Sequence, residues 1–306
     1  DEIWVDIPEE TTDRTPNPMS EPQVSNETTY AIVGGGAAGA YAAEGLREAG
    51  FTGRIVLFSA EEEVPYDRPN CSKDYLQGEA PEEWMPLRSE AFYKKKGIVL
   101  MKGHRVTRVD PETQKIEFES GAPVSYDKIL VCTGGQPRRL DIPGADLENV
   151  HVLRSLEDSR NLLKAGKSAG KAFVIGASFI GMEAAMSLQK LDCEVHVVAP
   201  EHLPFAHIWG DAVGQRIQEW HREAGVHFHL GQNVKAIKGN GKIDKVELEN
   251  GEELDADLVV MGIGVEPNTS FLPDTLLQSD GSLRTDPFLR VQENLFAAGD
   301  IAAPPV

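Results

Sequence analysis

Tyr30-Ala-Ile-Val33 runs into Gly34-Gly35-Gly36-Ala37-Ala38-Gly39, and Lys171-Ala-Phe-Val-Ile175 runs into Gly176-Ala177-Ser178-Phe179-Ile180-Gly181. Each is a short apolar run ending on glycine, which reads as a buried strand feeding a tight turn. A helix is expected after each, to about Gly50 and through Leu191, and then a second strand, Arg54-Ile-Val-Leu-Phe58 or Glu194-Val-His-Val-Val198. The chain thus opens a βαβ unit twice, at Gly34 and again 142 residues later at Gly176.

In the first unit Gly34 permits the turn, Gly36 lets backbone approach a pyrophosphate, and Gly39 lets helix and strand pack closely. The helix start then presents free N–H groups and a positive dipole end to phosphate. Acids follow the next strand at Glu61, Glu62 and Glu63, where a ribose hydroxyl wants a carboxylate. The second unit places Ser178 at the middle position and Glu201 at the end of its next strand, 25 residues after Gly176. A carboxylate there binds a ribose and repels a 2′-phosphate, which favours NADH over NADPH. Two dinucleotides on one chain point to hydride transfer between a nicotinamide and a flavin, chemistry that needs orientation more than acid–base groups.

A second repeat supports the first. Lys115-Ile-Glu-Phe-Glu-Ser-Gly121 aligns without gaps on Lys245-Val-Glu-Leu-Glu-Asn-Gly251, and in the same register Asp127 falls on Asp257, Gly134 on Gly264 and Pro137 on Pro267. Each unit is therefore expected to carry an antiparallel excursion and then a buried strand ending in Gly-x-x-Pro, as a duplication would produce.

The 306 residues, 41 % hydrophobic and 26 % charged, suit about two globular domains. No apolar run approaches the ~18–20 residues that span a bilayer, and 49 acids against 30 bases, net −19, disfavour nucleic acid and anionic lipid. Cys71, Cys132 and Cys193 are too scattered for a disulfide framework or cluster, and the expected location is the cytoplasm. Residues 1–29 carry eight acids and one base and read as a linker, with Glu2–Ile7 alternating like a strand remnant. Asp1 in place of an initiator Met, and Val306 after two prolines, lead us to expect part of a longer protein.

Together with Pro65-Tyr66-Asp67-Arg68-Pro69, Ser72-Lys73, Cys132-Thr133-Gly134-Gly135-x-Pro137-Arg138, Gly264-x-Glu266-Pro267-Asn268 and Ala298-Gly299-Asp300, these motifs resemble the FAD-dependent pyridine nucleotide oxidoreductases. The branch is that of ferredoxin reductases and apoptosis-inducing-factor-like proteins. The resemblance implies an α/β fold of two Rossmann-like dinucleotide-binding domains: an FAD domain (30–149 and 271–306) split by an inserted NAD domain (150–270), and a C-terminal interface domain beyond this chain. It puts the FAD pyrophosphate at Gly34, Gly36, Ala38 and Gly39 and the adenosine ribose near Glu61. Arg68 and Lys73 become flavin-side contacts and Val106 an adenine-side contact. Thr133-Gly134 becomes the second dinucleotide turn, Arg154 a further FAD-contacting base, and Asp300 the partner of the ribityl–pyrophosphate arm. On the NAD side the matching positions are Gly176, Ser178, Phe179, Ile180, Glu201 and Gly264.

The resemblance also implies that Lys73 and Glu183 pair beside the flavin N5 edge, where a buried cation stabilises charge on reduced flavin and the carboxylate keeps it oriented. By residue type alone both would be surface groups. Phe179 reads either as core or as a ring covering the flavin until nicotinamide displaces it. Cys71 resembles the single redox cysteine of peroxide- and disulfide-reducing relatives, and Lys73 nearby could favour its thiolate; a small packing residue is the other reading. His227 and His229 share a strand face but lack further ligands, so exposed histidines and no metal are expected. Lys94-Lys95-Lys96 reads as a solvated helix end.

The expected acceptor is an iron–sulfur protein, a ferredoxin or a Rieske-type domain tethered upstream, with no nucleic acid and no membrane insertion; the oligomeric state is left open. The other readings are a Cys71-dependent peroxide or disulfide reductase and an NADH-sensing binding protein similar to apoptosis-inducing factor.

Overall fold

Val33 and Ile175 each end a parallel strand buried on both faces, which is why these segments are continuous apolar runs. The structure, a computed structural model, describes residues 28–305. The acidic linker, apart from Thr28 and Thr29, and the strand remnant at Glu2–Ile7 lie outside the described residues.

The first unit runs β1 (Thr29–Val33), α1 (Ala37–Glu48), β2 (Arg54–Phe58), α2 (Glu90–Lys95), β3 (Ile98–Met101), β4 (Val106–Asp110), β5 (Lys115–Phe118), β6 (Val124–Ser125), β7 (Lys128–Val131) and β8 (Gly135–Pro137). The second runs β9 (Val150–Val152), α3 (Leu156–Gly166), β10 (Lys171–Ile175), α4 (Phe179–Lys190), β11 (Glu194–Ala199), α5 (Ala206–Trp209) and α6 (Asp211–Glu223). It continues through β12 (His227–Leu230), β13 (Val234–Asn240), β14 (Lys242–Leu248), β15 (Glu253–Asp255), β16 (Leu258–Met261) and β17 (Val265–Pro267). Four short strands follow: β18 (Leu283–Arg284), β19 (Arg290–Gln292), β20 (Leu295–Ala297) and β21 (Ala302–Ala303).

One sheet has the order β19-β20-β7-β1-β2-β3, the other β12-β11-β10-β16-β9. Both are parallel except for the β19–β20 edge pair. The chain completes the second sheet and then returns, through β20, to pair with β7 in the first. Each unit carries its expected antiparallel excursion, β4-β5-β6 and β13-β14-β15.

The duplication is visible in single hydrogen bonds. Asp127 Oδ2 accepts from Thr29 N, and Asp257 Oδ2 accepts from Gly170 N and Lys171 N, so each aspartate ties down the start of the strand that leads into its unit's glycine turn, β1 or β10. The two Gly-x-x-Pro segments pair antiparallel with each other as β8 and β17. Gly134 O accepts from Asn268 N at 2.8 Å and Gly264 O from Arg138 N at 3.0 Å, the same bond made from either side of a local twofold. The turns that end both sheets' central strands are thereby joined.

Lys94 and Lys95 fall in the last turn of α2, where cations complement the helix dipole. Arg47 is 2 % exposed and donates to the carbonyls of Phe51, Gly53, Lys96 and Gly97. Carbonyl partners on all sides are what let a guanidinium remain buried.

Candidate functional site

A cleft of about 1080 Å³ lies along the carboxyl ends of β1 and β7 and reaches the start of α4. Its floor is built where side chains are missing. A Cβ at Gly34 or Gly39 would strike backbone oxygen, of Cys132 and Gly34 respectively, so these two glycines serve close packing. Gly36 differs: its φ of −86° suits any residue, and a Cβ there would meet nothing within 4 Å. It is also the N-cap of α1, with no side-chain hydrogen bond to the free N–H groups behind it. An open, uncapped helix start beside a large cleft fits a pyrophosphate.

The cleft collects Gly34, Gly36, Ala38, Glu61, Arg68 and Lys73 from the first unit. Val106, Thr133, Gly134, Arg154 and Asp300 line it too, as do Phe179, Ile180 and Glu183 from the start of α4. Gly39 packs beneath it. Gly176, Ser178, Glu201 and Gly264 do not line it; they follow β10, β11 and β16, at the carboxyl ends of the second sheet, where open α/β sheets bind ligands.

Several side chains engage one another. Of the three acids after β2 only Glu61 faces the cleft, since Glu63 pairs with Arg160 and the Glu62 carboxylate packs over Gly103. Glu61 accepts from Tyr66 Oη at 2.5 Å and Arg68 Nη2 at 2.8 Å. Arg154 Nη2 stands 2.7 Å from Asp300 Oδ2, and its Nε donates to Gly135 O. Thr133 Oγ1 donates to Asn268 O at 2.6 Å.

Lys73 Nζ lies 2.8 Å from Glu183 Oε2, and Ser72 Oγ donates to the same oxygen at 2.6 Å. The pair forms, but it is not buried: the side chains are 45 % and 32 % exposed, because both face the open cleft. Ser72 was not singled out by its sequence context; its place beside Lys73 in the motif was the available signal.

In the second unit α4 starts at Phe179 with Ser178 as an N-cap that makes no side-chain bond. Gly181 packs on the Gly176 carbonyl, as Gly39 does on Gly34. Among the described residues Glu201 Oε2 is buried without a hydrogen-bond partner, an acceptor that suits a hydroxyl donor. Phe179 is half exposed and packs against Phe205 and Trp209, neither expected at the site.

Of the two readings of Cys71 the structure supports the packing residue, and the expectation that both strand histidines are exposed is corrected. Burial pushes the Cys71 thiol up to about 12, and Lys73 turns to Glu183, so the sulfur is not activated as a thiolate. His227 is exposed, but His229 is half-buried and lies 3.0 Å (Nε2) from Nδ1 of His196 on the neighbouring strand. Among the described residues no group of three or more His, Cys, Asp or Glu is placed to hold a metal ion, and no helix is long and apolar enough to cross a membrane.

A family model described as pyridine nucleotide-disulphide oxidoreductase matches residues 28–305. The chain belongs to this family. It is 37 % identical over 277 residues to a rhodocoxin reductase of Rhodococcus erythropolis, covering 90 % of this chain and 65 % of the relative. It is 35 % identical over 286 residues to apoptosis-inducing factor 3 of Mus musculus, covering 92 % and 47 %. Its fold matches the reductase of a covalent putidaredoxin reductase–putidaredoxin complex with a TM-score of 0.86 at 30 % identity, covering 92 % of this chain and 69 % of that one. The chain spans about half to two thirds of the length of these two curated relatives. The uncapped α1, the open space over Gly36 and the Glu201 oxygen without a partner among the described residues are a donor and acceptor set that fits two dinucleotides.

Proposed function

We propose that the chain is the nucleotide-binding part of an NADH-dependent flavoprotein reductase whose acceptor is an iron–sulfur protein of ferredoxin or rubredoxin type. Residues 30–149, with the chain after 270, would hold FAD, and 150–270 NADH. One observation carries the reading: a single cleft runs from the Gly34 turn of the first fingerprint to Phe179, Ile180 and Glu183 at the head of the second fingerprint's helix. Two dinucleotides bound at those turns would meet end to end.

FAD in that cleft would supply acceptance of a hydride from NADH and its release as single electrons. The protein's own part is positioning and charge. The α1 start and Gly36 receive phosphate, and Arg154 and Asp300 line the same cleft. Lys73 offers a fixed cation, held by Glu183, which Ser72 holds in turn. Glu201 accepts ribose hydroxyls and, as a carboxylate, opposes a 2′-phosphate, which supports NADH. The relatives include proteins named rubredoxin-NAD(+) reductase and ferredoxin–NAD(P)(+) reductase, which supports the acceptor class.

The test is anaerobic addition of NADH to the protein loaded with FAD. Bleaching of the flavin band, followed by reduction of a ferredoxin or rubredoxin, is expected. A flavin band that NADH leaves unchanged overturns the reading.

A further inference from the structure

The loop between Glu201 and α6 carries two rings that neither fingerprint accounts for. Phe205 is buried and sits at φ +57°, in the left-handed region, which a bulky residue keeps only where its surroundings over-determine it. Its ring stacks on Trp209 with centroids 4.8 Å apart. Both meet Phe179 at steep angles: Phe205 at 4.9 Å and 64°, Trp209 at 5.4 Å and 89°, the edge-to-face arrangement that aromatic quadrupoles favour. The strained residue thus supports the first residue of α4, and Glu183 follows one turn later on the same helix face.

Phe179 lines the cleft and is 49 % exposed. The ring rests against Phe205 and Trp209. We propose that Phe205 and Trp209 form an aromatic seat that anchors Phe179 at the rim and keeps the space over Glu183 open to the nicotinamide ring of NADH. The inference rests on the reading of this cleft as the meeting place of NADH and FAD. Both residues act through Phe179 and are positioning residues. Without the seat the Phe179 ring samples positions over the cleft, and the apparent affinity for NADH falls with the fraction of molecules left open.

The test is anaerobic stopped-flow reduction of the FAD-loaded protein over a range of NADH concentrations. Trp209→Ala, at a half-exposed position, is expected to raise the half-saturating NADH concentration about three- to tenfold, the range one aromatic pair supplies, with the limiting rate within about twofold and the melting temperature close to that of the unsubstituted protein. Trp209→Phe keeps a ring in the seat and should restore tight binding. The double variant Phe179→Ala/Trp209→Ala should match Phe179→Ala alone, because the ring to be anchored is gone. An unchanged half-saturation in Trp209→Ala overturns the seat. So does a double variant in which the Trp209 effect persists in full, since Trp209 would then touch the nucleotide or merely support its loop. Failure of NADH to bleach the flavin of the unsubstituted protein removes the underlying reading instead.

Discussion

Lys73 and Glu183 lie 110 residues apart in sequence, and Nζ of one stands 2.8 Å from Oε2 of the other, joining the segment after β2 to the helix that opens the second fingerprint. With a third to almost half of each side chain exposed, the pair adds only about 0–1 kcal/mol to stability. Its value lies in where it puts a positive charge. Lys73→Ala and Glu183→Gln are therefore expected to leave the melting temperature nearly unchanged and to slow flavin reduction by NADH about ten- to a hundredfold, as loss of one electrostatic contact at a reacting centre does. Stopped-flow rates equal to the unsubstituted protein in both variants would remove the pair from the mechanism.

The glycines separate packing from ligand approach. Gly36→Ala adds a methyl group into open space on a backbone that accepts it, so the variant should melt normally and carry much less FAD. Gly39→Ala drives a methyl into the Gly34 carbonyl and should cost about 2 kcal/mol or more by overpacking, with or without cofactor. Thermal melts and the ratio of flavin to protein absorbance check both. Equal flavin content in Gly36→Ala and the unsubstituted protein would show that the turn does not face the pyrophosphate.

What was legible in the sequence is local. A strand, a glycine turn and a helix are contiguous, so both βαβ openings and the aligned excursions at Lys115 and Lys245 could be read directly, and the structure has β5 and β14 there. What was not legible depends on side chains brought together by tertiary packing. Arg154 and Asp300, each read as a cofactor contact, pair with each other across 146 residues. His196 meets His229 only because β11 and β12 lie side by side. The left-handed Phe205 leaves no mark in composition or periodicity, since its φ is imposed by the rings around it. The Lys73–Glu183 pair was readable from the motif, yet its exposure was not, because the depth of the cleft is set by both sheets together.

Glu201 should govern the choice of nicotinamide cofactor. Its buried Oε2 lacks a partner, so a ribose hydroxyl gained there restores a hydrogen bond at a buried acceptor. Glu201→Ala is expected to weaken NADH binding by about 1–3 kcal/mol, roughly five- to 150-fold in half-saturation, and to narrow the gap between NADH and NADPH. Titrations with both cofactors decide it: an unchanged preference would place the ribose elsewhere.

Acid should weaken the fold through two histidines. Burial lowers the affinity of His151 and His229 for a proton, and for His229 the neighbouring His196 and His227 add to the effect. Their folded values lie below the unfolded value of about 6.5, so the neutral form is favoured by folding. Their contribution is complete above that pH and is lost as pH falls through the folded values. Melting temperatures between pH 8 and pH 5 should fall toward acid, and His229→Gln should flatten part of the slope. A slope unaltered by that variant would assign the acid sensitivity to other groups.

Cys71 discriminates between reaction classes. Its thiol is 2 % exposed in a cluster with Tyr66, Tyr75, Met85 and Leu156, and burial, with Glu61, Asp158 and Asp67 adding to it, outweighs the pull of Arg68 and raises it to about 12. At pH 8 such a thiol is ionised in only about one molecule in ten thousand, too few to attack a peroxide or disulfide efficiently. Iodoacetamide at pH 8 should leave Cys71 unmodified in the folded protein. Cys71→Ser should cost about 1–3 kcal/mol by burying a hydroxyl in place of the thiol and still reduce a ferredoxin within about threefold of the unsubstituted rate, because the proposed electron path, from NADH to flavin to acceptor, does not use the sulfur. If flavin reduction by NADH survived in Cys71→Ser while turnover with every iron–sulfur acceptor and peroxide vanished, the sulfur would lie on that path, and burial of the thiol in the free protein would have to be relieved when substrate binds.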